Sequence, residues 1–121
     1  MNALAATSDQ LIRIALLGEA VDNAPIAVLV FDADGKYVAV NAEACRLLGY
    51  ERDQIMSRRL GDLAVDPKHA LHEYLAVADG RAAEGTTRIR RGDGTEALFR
   101  FRGAATTIAG VAFYVGLAWP A

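Results

Sequence analysis

His69, His72 and Glu73 fall close together in the chain, and a single cysteine, Cys45, stands apart from them. Histidines at i and i+3 with one adjacent carboxylate present two ligands on a helical face and no evident third, short of the four that a closed zinc site takes. One cysteine cannot form an intrachain disulfide or a thiolate cage; it reads as a small buried apolar side chain and fits a reducing compartment. Asp32-Ala33-Asp34-Gly35 opens like a calcium loop. The carboxylate expected near its twelfth position is Glu43, however, on the next element, and Gly35 is misplaced, so a turn accounts for the string. There is no Gly-x-Ser-x-Gly elbow, no cysteine with a convincing histidine partner and no phosphate-cradling glycine motif. The expectation is a protein with no metal and no catalytic residues, an enzyme being the remotest reading.

Composition narrows the classes further. The 121 residues are 53% apolar and 23% charged, enough for one domain with a substantial core. Thirteen Lys plus Arg against 15 Asp plus Glu leave a net charge of −2, which supplies no global field for nucleic acid or anionic lipid. Arg88, Arg90, Arg100 and Arg102 alternate with Ile89, Leu98, Phe99 and Phe101. They read as a solvent or partner face of a sheet near Glu84 and Glu96, rather than as a nucleic-acid patch. The start of the chain has no basic segment before Arg13. The apolar stretches Ala24 to Phe31 and Val111 to Trp119 are half or less of the roughly 20 residues that cross a bilayer. The expected setting is the cytoplasm, with no membrane contact.

These side chains must be carried by identifiable elements. Thr7 and Gln10 form a capping-box pattern that predicts a helix of about three turns ending near Gly18. Leu11, Ile12, Ile14, Leu16 and Leu17 cover most of its circumference, so the helix either lies across its own domain or is shared with a second subunit. Ile26 to Phe31 and Lys36 to Val40, joined through Asp34-Gly35, predict an antiparallel hairpin. Asn41 is placed to cap a helix stopped by Gly49. From Tyr50 to Val65 the pattern is irregular, with Asp53, Ser57 and Asp62 as possible caps. Asp66-Pro67 opens a helix to about Ala78, whose apolar arc reads as Ala70, Leu71, Tyr74, Leu75, Val77 and Ala78. Three strands follow, Glu84 to Arg90, Thr95 to Thr106 and Val111 to Leu117. Two strands, several helices and three strands predict an α+β fold: a five-stranded antiparallel sheet with helices over one face, plus an N-terminal amphipathic helix.

Several strings, taken in order, resemble a PAS domain. They are Asp22-Asn23-Ala24-Pro25-Ile26-Ala27-Val28, Asp32-Ala33-Asp34-Gly35, Val40-Asn41-Ala42-Glu43-Ala44, Leu47-Leu48-Gly49-Tyr50 and Arg91-Gly92-Asp93-Gly94-Thr95. The resemblance covers roughly Leu17 to Leu117. It implies a helical extension over 1–22, a PAS domain over 23–118 and a tail over 119–121. It also implies a sensory or docking role of the kind found in bacterial kinases, cyclases and transcription regulators, with a cavity or plain core between sheet and helices. Val28, Val30, Leu47, Met56, Leu63, Leu71, Leu75, Ile89, Phe99, Phe101 and Phe113 are the expected pocket residues.

Cys45 precedes the Gly-Tyr stop and lies in no Asn-Cys-Arg string, so the flavin-adduct role does not transfer to it. Heme is the alternative cofactor, with His69 or His72 as axial ligand. On a helical wheel His69 lies opposite the apolar arc and His72 at its edge, which points both toward water. The expectation is no cofactor, or a small apolar ligand. The expected assembly is a homodimer built through Leu11, Ile12, Ile14, Leu16 and Leu17. No Asp-Ile-Thr exit follows the last strand and Pro120 blocks a helical continuation, so a separate effector is expected to carry the output if the chain is full length.

Overall fold

The computed structural model describes residues 3–80 and 82–121, with side chains from Ser8 onward. The chain runs α1 (Ala3–Asp22), β1 (Ala27–Asp32), β2 (Tyr37–Val40), α2 (Ala42–Leu48), α3 (Arg52–Met56), α4 (Pro67–Ala78), β3 (Gly85–Arg90), β4 (Glu96–Ile108) and β5 (Val111–Pro120).

Local chemistry sets most of these boundaries. The Asp32 carboxylate accepts from the Asp34 and Lys36 amides, both at 2.9 Å, and Gly35 takes the left-handed φ of 78° that turns β1 into β2. Asn41 caps α2 by accepting from the Ala44 amide at 3.1 Å, and Gly49 ends it in the left-handed region. Asp66 accepts from the His69 amide at 3.2 Å, with Pro67 in the first turn of α4. The short α3 follows Glu51, whose amide donates to the Gln54 side chain at 2.8 Å, rather than being capped by Asp53. Ser57 and Asp62 bond locally in the loop beyond it.

All strand pairs are antiparallel, in the order β2-β1-β5-β4-β3. The two-residue side-chain period divides the sheet into faces. Ala27, Leu29 and Phe31 of β1 and Phe99 of β4 are buried on the inner face, beneath α2, α3 and α4. Val28 and Val30 share the outer face with their partners Leu117 and Val115, and with Ala104, Arg102 and Arg100 of β4. Among the described residues α2, α3 and α4 pack on the other face, while the last turns of α1, at Gly18 and Val21, border a cleft with Val28 and Val30.

Two expectations are corrected here. First, α1 is longer than expected: it starts at Ala3, before Thr7, whose side chain lies outside the described residues, and passes through Gly18 to Asp22. A glycine in a helix interior costs about 1 kcal/mol against alanine and does not by itself stop a helix. Nor is α1 laid across the domain; every side chain from Ser8 to Val21 is exposed, Leu11 by 61% and Leu17 by 66%. Second, the expected tail continues the last strand, with Trp119 paired to Arg100 and Pro120 to Phe99.

Candidate ligand-binding site

The inner face of the sheet and the helices above it enclose an apolar cavity of about 100 Å3. Leu29 and Phe31 form its floor with Phe99 and Phe101; Leu47 and Leu48 of α2, Leu60 and Leu63 of the connecting segment, and Ala70 and Tyr74 of α4 close the roof. Among the described residues no Asp, Glu, Lys, Arg or His lines it, so a bound charge would be desolvated without compensation.

Five of the expected pocket residues line this cavity: Leu47, Leu63, Ile89, Phe99 and Phe101. The others do not. Val28, Val30 and Phe113 are on the outer face, because inward positions of β1 start at Ala27 and Phe113 pairs with Asp32 on the outward register. Leu71 and Leu75 are 47% and 43% exposed, because α4 is rotated from the expected arc and buries Ala70 and Val77, with Tyr74 between them. Met56 packs against the core without lining the cavity. Among the residues missed are Ala27, Leu29, Phe31, Tyr37 and Tyr74; the run from Ala27 to Phe31 is apolar throughout, so its sequence carries no alternation that separates the three inward residues from Val28 and Val30.

Burial raises the phenols of Tyr37 and Tyr74 well above the ordinary tyrosine value, with Asp62 adding to the effect at Tyr37 and Tyr114 at Tyr74. Burial also raises the thiol of Cys45, which disfavours its thiolate, and Cys45 does not line the cavity.

One polar cluster connects the cavity walls to α1. The Asn41 amide nitrogen donates to the carbonyls of Val21 at 2.8 Å and Ile26 at 2.9 Å. Its oxygen accepts from Val28 of β1 at 2.9 Å as well as from Ala44 of α2. Beside it, Asp22 accepts from the Ala42 amide at 3.0 Å and the Arg52 guanidinium at 2.7 Å, while Arg52 also donates to the Val40 carbonyl. The end of α1 is thereby bonded to β1, β2, α2 and α3.

Residues 21–106 match a family model described as the PAS fold. The chain belongs to the PAS family. Solved PAS domains share its architecture. One, from a two-component sensor histidine kinase, is 20% identical with a TM-score of 0.81, over 93% of this chain and 99% of that one. The PAS domain of an HTR-like protein from Haloarcula marismortui gives 20% and 0.78, over 96% and 98%. That of a Colwellia psychrerythraea protein gives 18% and 0.77, over 89% and 96%. At these identities the likeness is one of fold. No curated protein sequence matches the chain.

Heme does not fit this PAS domain as folded. His69 and His72 are exposed, neither lines the cavity, and His69 instead faces Glu73 at 3.6 Å. The cavity of about 100 Å3 is also well below the roughly 300 Å3 at which pockets for larger ligands begin. Among the described residues, no group of three or more His, Cys, Asp and Glu converges as a metal site, and no helix is long and apolar enough to cross a membrane.

Proposed function

We infer that this PAS domain is a non-enzymatic sensing and docking module of the cytoplasm, which takes a small apolar ligand in its cavity and works as a homodimer. The observation that carries this reading is the attachment of α1: an apolar helix exposed on all sides is bonded, through Asn41 and Asp22, to the strands and helices that wall the cavity. A change in β1 or α2 on ligand binding moves the two groups that hold Val21 and Asp22, and so moves α1.

A second copy is the partner that fits. The outer face carries Val28, Val30, Val115 and Leu117, flanked by Arg100 and Arg102, and the exposed α1 carries five large aliphatic side chains with Asp9 and Glu19. Among the described residues each of these apolar surfaces is largely uncovered beyond the cleft that Gly18 and Val21 make with Val28 and Val30, and each supplies what the other needs, the two carboxylates of α1 outnumbering its one cation, Arg13. The effector, a kinase, cyclase or transcription regulator, reads the position of α1 in the dimer. Native mass spectrometry of freshly purified protein tests this reading. The expected species is at twice the 12.9 kDa chain mass, and a monomer at every concentration overturns the homodimer.

A further inference from the structure

Tyr74 stands in the wall between two spaces. Its side chain and that of Leu60 line both the inner cavity and an outer groove bounded by the Asp32–Gly35 turn, Arg59, Leu71, Leu75 and Tyr114. The ring is held by edge contacts from Phe31 at 5.5 Å and Tyr114 at 5.6 Å. Its hydroxyl oxygen, however, is buried and has no hydrogen-bond partner among the described residues. A buried hydroxyl in that condition has given up water without replacement, which native proteins rarely tolerate unless something else meets the group.

The cavity sets the size of what that something is. At about 100 Å3 it is somewhat smaller than the apolar cavity of roughly 150 Å3 that stays dry and holds benzene. One ring fills it. The lack of ionised side chains on its walls excludes a charged ligand, and the position of Tyr74 at the boundary gives a single polar substituent one place to point.

We propose that the cavity takes an uncharged single-ring aromatic molecule bearing one hydrogen-bond acceptor, and that the Tyr74 hydroxyl donates to that acceptor. This rests on the ligand-sensing reading above and adds the chemical class. The ring lies among Leu63, Ile89 and Phe99, with its acceptor at the Tyr74 side of the cavity.

Toluene and phenol have the same shape and differ by a hydroxyl in place of a methyl, so the pair isolates the polar contact. Methyl signals of Leu29, Leu63 and Ile89 are followed by NMR during titration with each. Both compounds are expected to shift these signals in the wild-type protein. In Tyr74→Phe the phenol Kd is expected to rise about three- to tenfold, the worth of one ordinary hydrogen bond, while toluene changes by less than about twofold. Tyr114→Phe, which removes the neighbouring hydroxyl and keeps its ring outside the cavity lining, is expected to leave both unchanged. If toluene leaves the wild-type methyl signals unmoved, the apolar-ligand reading itself fails. If toluene binds and phenol is indifferent to Tyr74→Phe, only the role of Tyr74 is overturned. A Tyr74→Phe protein that loses its native spectrum would show the hydroxyl already engaged in the fold, which also overturns the proposal.

Discussion

The side-chain amide of Asn41 donates to the carbonyl of Val21 at 2.8 Å, across twenty positions of sequence. That bond joins the last turn of a helix whose side chains from Ser8 to Val21 are exposed to a residue that is 3% exposed and also bonds β1 and caps α2. In a PAS domain read as a sensor, it bonds elements that wall the cavity to the helix proposed to meet a second copy.

Replacing Asn41 with alanine is expected to lower stability by about 2–4 kcal/mol, since it removes a helix cap and leaves buried amides and carbonyls unpaired. Asn41→Asp keeps the acceptor for Val28 and Ala44 but turns the donor into an oxygen facing two carbonyls, so a comparable loss is expected. Arg52→Ala, which breaks an ion pair about half exposed on both sides, is expected to cost no more than about 1 kcal/mol. Urea denaturation ranks the three. Hydrogen exchange at the end of α1 is expected to speed up most in the Asn41 variants, and an unchanged rate there would remove Asn41 from the coupling.

Two glycines are expected to respond in opposite directions to a methyl group. At Gly116 of β5 an added Cβ lies 3.7 Å from the Leu29 carbonyl and 4.0 Å from Phe31, ordinary contact on the cavity side. Gly116→Ala is therefore expected to stabilise by about 0.5–1 kcal/mol, through lost unfolded-chain entropy, and to weaken toluene binding. At Gly92 the same methyl overlaps the Gly49 carbonyl, where the Gly92 amide donates to Leu48 at 3.0 Å and holds α2 to the β3–β4 turn. Gly92→Ala is expected to cost about 1–3 kcal/mol. Thermal unfolding with and without toluene reads both effects.

Alkaline pH is expected to destabilise the fold. Tyr37 and Tyr74 have phenol pKa values raised by burial, so the unfolded chain releases these protons from about pH 10 upward while the folded chain retains them. The stability they confer is complete below pH 10 and is lost as pH rises through the folded values. The more deeply buried Tyr37 accounts for up to about 1.4 kcal/mol per pH unit of that slope. Denaturation midpoints between pH 9 and 11 measure it, and Tyr37→Phe is expected to flatten the decline.

The parts of this fold written in short-range chemistry were legible in the sequence. Asp34-Gly35, Asn41 with Gly49, and Asp66-Pro67 each satisfy backbone groups within a few residues, and the elements they bound stand within a residue or two of expectation. What depends on distant contacts was not. The placement of β5 between β1 and β4 follows from pairings such as Leu29 with Gly116, which no local pattern specifies. The rotation of α4 is decided by the small Ala70 and by Tyr74 fitting against Phe31, although Leu71 and Leu75 are the more apolar pair on the wheel. For the same reason the cavity was half legible: Phe99 and Phe101 alternate clearly, while Val28 and Val30 are as apolar as Leu29 and differ from it only in the face they occupy.

The pairing of α1 with a second copy is tested most directly by sedimentation equilibrium of the wild-type protein and the Leu11→Glu/Leu16→Glu variant. Both leucines are more than 60% exposed, so the substitutions are expected to leave each domain folded, with unfolding free energy changed by about 0.5 kcal/mol or less per site. The account predicts a dimer for the wild type and a shift of at least tenfold toward monomer for the variant. A wild-type monomer, or a dimer that withstands both glutamates, would contradict it.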